Sequence, residues 1–272
     1  MSDKEAELLE EAVDKKFTRR DLFKAVGTGA AGLAVLAAGK PRQALAEVRR
    51  QLAGARYALV IDLRRCIGCK ACSVACKSEF DVRLGVFRAS VKEHEKGKGG
   101  ERRRYFLPWL CNHCGKPPCV PVCPVEPRKA IHRWSDGSTT EYKKRATFKR
   151  PDGPVLIDYD RCIGCGNCVQ ACPYKVRFFD PVKIAGANRK AKAVDKCTFC
   201  VHRIDEGVVP SCVNTCLGRA RIFGDINDPQ SEISQVLDEN DFDILLSEEG
   251  TIPQVFYISL DKDVYDKGVD TR

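Results

Sequence analysis

Two short runs of aliphatic residues stand out from a mostly polar chain, Leu59-Val60-Ile61-Asp62-Leu63 and Val155-Leu156-Ile157. Each has the length of one buried strand and is too short for a helix. A third run, Val255-Phe256-Tyr257-Ile258-Ser259-Leu260, predicts a further strand, and the acidic stretch ahead of it reads as a solvated helix. Between these runs lie two polar stretches, 93–104 and 127–150, dense in Lys and Arg, which read as loops. The longest apolar stretch, 25–39, is rich in Gly and Ala and about 15 residues long, whereas a membrane-spanning helix wants roughly 18 or more. The pattern predicts an α+β fold of short elements joined by long loops.

The first two runs are copies of one unit. Leu59 to Arg65 leads into Cys66-Ile67-Gly68-Cys69, and Val155 to Arg161 leads into Cys162-Ile163-Gly164-Cys165. Strand, cysteine loop and short helix make up the repeat, with Gly68 and Gly164 where the backbone must turn tightly beside a metal-bound sulfur. All sixteen cysteines fall into four groups of four: Cys66, Cys69, Cys72, Cys76; Cys111, Cys114, Cys119, Cys123; Cys162, Cys165, Cys168, Cys172; and Cys197, Cys200, Cys212, Cys216. Groups one and three share C-x2-C-x2-C-x3-C, in which three close thiolates wrap one face of a cubane and the fourth lies a helical turn further on. That spacing reads as [4Fe-4S] ligation. Pro124 and Pro173 give groups two and three the C-P ending of bacterial ferredoxin runs. Sixteen thiolates would hold four clusters, more redox capacity than a structural role needs, and so point to a path for electrons.

Zinc ribbons also use C-x2-C pairs but separate them by a longer loop, whereas groups one and three each place four cysteines within eleven residues. His113 lies inside a group that already has four thiols, so it reads as a hydrogen-bonding neighbour; His94, His132 and His202 have no triad or metal spacing. No nucleophile elbow, phosphate loop, dinucleotide fingerprint or carboxylate pair is present, so the catalyst served by this chain lies elsewhere. The net charge of +9 would ordinarily favour nucleic acid or acidic lipid. Four oxidised clusters with their thiolates, at about −2 each, offset about −8 of it. The basic run within 143–150 lacks interleaved aromatics, so nucleic acid is not an expected partner. Among cations beside the motifs, Arg65, Lys70, Arg161 and Lys196 are expected to raise cluster potentials.

At the N-terminus, Arg19-Arg20 precedes the apolar run, and Ala44-Leu45-Ala46 offers a small-residue cleavage site, so 1–46 resembles a twin-arginine export signal. An even cysteine count in an exported chain ordinarily means disulfides. The twin-arginine route carries folded proteins, so clusters inserted in the reducing cytoplasm remain compatible with export to the periplasm.

The phrases Asp62-Leu63-Arg64-Arg65-Cys66-Ile67-Gly68-Cys69, Leu110-Cys111-Asn112-His113-Cys114, Pro117-Pro118-Cys119-Val120-Pro121-Val122-Cys123-Pro124 and Asp195-Lys196-Cys197-Thr198-Phe199-Cys200 carry a resemblance to the four-cluster iron-sulfur subunits of molybdopterin oxidoreductases. Within that family the chain is most similar to the branch serving tetrathionate reduction, ahead of polysulfide, thiosulfate, nitrite and arsenic systems. Four motifs allow three pairings, and the spacing alone leaves all three open. The resemblance implies the nested one: Cys66, Cys69 and Cys72 with Cys216; Cys76 with Cys197, Cys200 and Cys212; Cys111, Cys114 and Cys119 with Cys172; Cys123 with Cys162, Cys165 and Cys168. It also implies two ferredoxin-like halves, 47–100 plus 190–225 and 101–189, followed by a C-terminal extension, 226–272. As partners it implies a membrane quinol-oxidising subunit and a molybdopterin catalytic subunit, with membrane association through the partner only. A freely diffusing periplasmic carrier is the rival expectation. The stretch 126–145 looks like an insertion relative to that family.

Overall fold

The strand β1 (Tyr57–Asp62) is buried along both faces, which is why its aliphatic run does not alternate with polar residues. The computed structural model describes residues 54–98 and 102–261; the expected export signal, 1–46, lies outside them. β1 is the middle strand of a three-stranded sheet, antiparallel to β10 (Arg221–Asp225) and parallel to β11 (Val255–Ile258). Leu59, Val60 and Ile61 are each at most 1% exposed, and burying such side chains contributes about 1.5–3 kcal/mol apiece.

Helix α1 (Ala71–Phe80) follows the first cysteine loop, and α2 (Asn167–Gln170) follows the equivalent loop in the second copy of the repeat. Four two-stranded ribbons complete the strand set: β2–β3 (Ala89–Lys96, Arg103–Leu110), β4–β5 (Arg128–Arg133, Thr139–Lys144), β6–β7 (Thr147–Lys149, Val155–Ile157) and β8–β9 (Phe178–Ile184, Lys192–Asp195). The short helices α3 (Val201–Ile204) and α4 (Ser211–Asn214) carry the last cysteine group, with α4 packed against α1. In α5 (Glu232–Glu239) the Ser231 hydroxyl accepts from the Ser234 amide at the N-cap, and Ile233 and Leu237, one turn apart, face inward. The acidic stretch is therefore a half-buried helix and not the fully solvated one its charges predict. Among the described residues no helix is long and apolar enough to cross a membrane.

The two polar stretches expected to be loops are strands. Residues 93–96 pair with 103–106 in β2–β3, and most of 127–150 forms β4, β5 and β6. Exposed ribbons hydrogen-bond through their backbones and need no apolar alternation, so their Lys, Glu and Arg side chains conceal them. The C-terminal extension also proves to be built into the body. Besides pairing β11 with β1, it accepts amide hydrogen bonds from Gly115 and Lys116 through the carbonyls of Ile252 and Thr251, and Gln254 N–H donates to Asn112 O.

Gly164 illustrates how tightly the repeat is folded. Its φ is +70°, and an added Cβ would stand 2.6 Å from both the Lys192 carbonyl oxygen and the Ala191 Cβ. Gly137 has φ +84° with open space around it. Gly137→Ala is expected to cost only the left-handed backbone penalty of about 1–2 kcal/mol, and Gly164→Ala clearly more. Urea unfolding of the two variants side by side checks this; equal midpoints would reject the crowding at Gly164.

Candidate functional site

The cysteines converge from distant parts of the chain. Cys66, Cys69 and Cys72, from the loop and first turn of α1, line one cavity together with Cys216, which follows α4. Cys76, one turn along α1, lines a second cavity with Cys197, Cys200 and Cys212, closed by Leu59, Phe80, Phe199 and Phe223. Burial and the adjacent Cys111, Cys119 and Cys172 thiols push the Cys114 thiol up to about 12, a hydrogen bond to Thr251 opposing them. Cys123, Cys162 and Cys168 are buried in one apolar cluster with Val155 and Ile157. Among the sixteen, Cys69 and Cys165 alone are exposed, the second cysteine of each copy of the repeat. Every cysteine is free of disulfides. Among the described residues no group of three or more His, Cys, Asp or Glu side chains is arranged to hold a single metal ion; the thiols surround cavities instead of converging on a point.

The backbone around these thiols is bent to present amides. Lys70 and Gly166, each directly after the second cysteine of its motif, take left-handed conformations and start the following helix; Phe199 and Cys200 do the same before α3. Such bends turn successive N–H groups to one side, a cradle for negative charge. Phe199 N–H donates to Cys197 Sγ at 3.4 Å and Ala220 N–H to Cys216 Sγ at 3.3 Å.

Burial alone makes these thiols poor acids. It pushes Cys76 up to about 12, with Cys212 and Cys200 adding to it, and Cys197 well above its ordinary value. Iron binding requires the thiolate, so compensating positive charge is needed. Buried cations supply it. Arg221, in the wall of the first cavity, places Nη1 3.7 Å from Cys212 Sγ, and its buried Nη2 has no protein partner. Arg177 Nη2 donates to Cys119 Sγ at 3.0 Å. Lys196, 0% exposed, donates to the carbonyl oxygens of Val155 and Cys197, the latter at 2.6 Å. Convergent buried thiols, amide donors to sulfur and an orphaned guanidinium donor beside the thiols together fit a sulfide-bearing cluster.

Of the four cations singled out from the sequence, Lys196 is fully buried beside Cys197, and Arg65 and Lys70 stand in the wall of the first cavity with Cys66, Cys69, Cys72 and Cys216. Arg65 and Lys70 are exposed, and Lys70 pairs with Glu93 at 2.7 Å. Arg161 instead donates to the backbone oxygens of Lys144 and Glu126. Arg177 and Arg221 went unnoticed, although each stands five residues after the last cysteine of its group, Cys172 and Cys216. His113 is the hydrogen-bonding neighbour expected: its Nδ1 accepts from Val155 N–H at 3.0 Å and its ring stacks on Phe199 at 3.6 Å. Burial, then Lys196 and Arg177, hold it well below the ordinary histidine range, hence neutral.

One ion pair fastens the surrounding elements. Arg88 grips Asp195 with two nitrogens, Nε to Oδ2 at 2.9 Å and Nη2 to Oδ1 at 2.8 Å, and the Tyr159 hydroxyl donates to Asp195 Oδ1 at 2.6 Å. Arg88 also lies 4.0 Å above the Phe80 ring at the end of α1. Asp195 thereby holds the strand that delivers Lys196 and Cys197.

Comparison with known proteins agrees with this chemistry. A 4Fe-4S dicluster domain family matches residues 103–226, and a second 4Fe-4S dicluster domain matches residues 65–126. The chain is 45% identical over 210 residues to the B subunit of tetrathionate reductase from Salmonella typhimurium (strain LT2), covering 76% of this chain and 73% of the relative. It is 38% identical over 207 residues to the B subunit of tetrathionate reductase from Archaeoglobus fulgidus, covering 76% and 84%. It is 34% identical over 206 residues to the B component of polysulfide reductase from Wolinella succinogenes, covering 75% and 94%.

Asp195→Ala would leave the Arg88 charge buried and unpaired, at a cost of about 3–5 kcal/mol. Denaturant unfolding of the variant should show a loss in that range. A midpoint unchanged from wild type would mean that the pair does not fasten these elements.

Proposed function

The protein belongs to the 4Fe-4S dicluster family of oxidoreductase iron-sulfur subunits, whose work is electron transfer, and on that premise we propose that it carries electrons through four [4Fe-4S] clusters between a membrane quinol-oxidising subunit and a molybdopterin catalytic subunit. The proposed ligand sets are the nested ones: Cys66, Cys69, Cys72 and Cys216; Cys76, Cys197, Cys200 and Cys212; Cys111, Cys114, Cys119 and Cys172; Cys123, Cys162, Cys165 and Cys168. The observation that carries this is the pair of cavities in which Cys216 stands with the first motif and Cys76 with the last. When bound, such clusters supply reversible one-electron redox chemistry.

The chain's own residues do the rest. Leu59, Phe80, Phe199 and Phe223 keep water from the second cavity, and the amides of Phe199 and Ala220 donate to sulfur. Exposure of Cys69 and Cys165 supports partners at two places, since an electron path must approach the surface where electrons enter and where they leave. The chain is itself non-catalytic in this proposal, works in the periplasm after twin-arginine export, and meets the membrane only through its partner. Tetrathionate is the favoured terminal substrate, because two of the relatives above come from tetrathionate reductases, one bacterial and one archaeal.

Anaerobically purified protein is expected to contain about sixteen iron and sixteen acid-labile sulfide per chain. It should co-purify with a molybdopterin-bearing subunit, and its visible absorbance should bleach with a quinol and return with tetrathionate. Colourless, iron-free protein would overturn the cluster assignment. A monomeric holoprotein in native extracts would overturn the complex, and reoxidation by polysulfide but not tetrathionate would move the substrate.

A further inference from the structure

Three buried cations lie among the thiols, and each stands between two of the four sets. Arg221 lines the cavity of Cys66, Cys69, Cys72 and Cys216, yet its Nη1 points to Cys212 Sγ in the neighbouring set. Arg177 donates to Cys119 Sγ of the third set and lies within electrostatic reach of Cys168 of the fourth. Lys196 is held by the Cys197 carbonyl on one side and within electrostatic reach of Cys111 and Cys119 on the other. The order along the four sets is therefore site, Arg221, site, Lys196, site, Arg177, site. Among the described residues none of the three forms an ion pair with a carboxylate. Arg88, also near Cys76 and Cys197, differs in this respect, because Asp195 neutralises it.

Both arginines stand five residues after the last cysteine of a group, Cys172 and Cys216. Burial opposes their charge, and the surrounding thiols outweigh it: Cys212 and Cys72 for Arg221, Cys119 and Cys168 for Arg177. Arg221 is 4% exposed and leaves Nη2 without a partner, a costly arrangement for packing alone and a reasonable one for a donor beside a cluster site. An electron added to a cluster makes it more negative, so a nearby cation stabilises the reduced form; in the interior, salt screens this attraction little. A cation between two sites acts on both.

Building on the four-cluster assignment above, we propose that Arg221, Lys196 and Arg177 are shared counter-cations, one at each junction between successive sites, each raising the reduction potentials of the two sites it adjoins. They link neighbouring potentials in pairs, with two cations beside each inner site and one beside each outer site. They act through position and charge and touch no substrate.

The test is an EPR-monitored redox titration of the complete holoprotein with Arg221→Gln, Arg177→Gln and Lys196→Met. Arg221→Gln is expected to lower two midpoints together, Arg177→Gln the other two, and Lys196→Met one from each pair. Arg221→Lys, Arg177→Lys and Lys196→Arg should keep wild-type midpoints. A shift confined to one centre, an equal shift of all four, no shift, or charge-keeping variants that move as far as the neutral ones would each reject the shared role. Where a neutral variant does not load iron, its charge-keeping counterpart must load iron and hold both midpoints; failure of either rejects the assignment at that position. Wild-type protein showing fewer than four centres would instead defeat the four-cluster assignment, which separates the two failures.

Discussion

Everything else in this molecule follows from a spacing of four residues on one helix. Cys72 and Cys76 lie one turn apart on the same face of α1, about 6 Å along its axis, and yet they enter different cavities. Two thiol sites cannot separate without unwinding that helix. Cys212 and Cys216 repeat the arrangement from the opposite side, Cys212 serving the cavity of Cys76 and Cys216 that of Cys72. α1 thus stitches two sites together, Cys212 on α4 and Cys216 just beyond its end complete them, and α1 packs on α4.

Such closeness concentrates negative charge. Thiols sealed from water resist ionisation, as the elevated values at Cys76, Cys114 and Cys197 show, and thiolates held around neighbouring sites repel one another. Without cofactor the same fold buries Arg221, Arg177 and Lys196 with no carboxylate to balance them, itself a destabilising state. Thiolates and cations are each costly alone and compensate only together. Folding and cofactor loading are therefore coupled in this chain, as they are wherever a site's ligands must ionise to bind.

The parts legible in the sequence are those fixed by local pattern. β1 and β7 show as aliphatic runs because both their faces are buried, and Gly68 and Gly164 mark turns that only a residue without Cβ makes comfortably. β4–β5 and the outer end of β2–β3, residues 93–96 and 103–104, did not show, because ribbon exposed to water is specified by backbone pairing and tolerates Lys, Glu and Arg, whereas the inner end of β2–β3 buries Ala89, Leu107, Trp109 and Leu110. The buried cations escape the local pattern for a related reason. Arg65 and Lys70 adjoin cysteines in sequence and line the first cavity at its exposed side, whereas Arg177 and Arg221 return to the thiols as buried cations at the start of the strands that leave the motifs. Proximity along the chain is a poor guide to proximity in space, and the offset of five from a last cysteine is no surer, since it also marks Asp81 and the exposed Arg128.

That same return of the chain ties together the two nested ferredoxin-like halves that the resemblance implies. One proposed boundary, near residue 100, falls inside the β2–β3 ribbon, and the other, near 190, falls inside β8–β9. Each half therefore donates a strand to a ribbon of the other. The segment after residue 226 adds a third tie, pairing β11 with β1 while Thr251, Ile252 and Gln254 hold the Cys111–Cys119 loop. The His113–Phe199 stack lies at this seam, joining a residue between Cys111 and Cys114 to one between Cys197 and Cys200. A hinge between the halves would have to break backbone ladders, a buried aromatic stack and the hydrogen bond from the Tyr159 hydroxyl to Asp195 together. The distance between the inner thiol sets is thus held by the same interactions that stabilise the fold, and electron passage across the seam requires no domain movement.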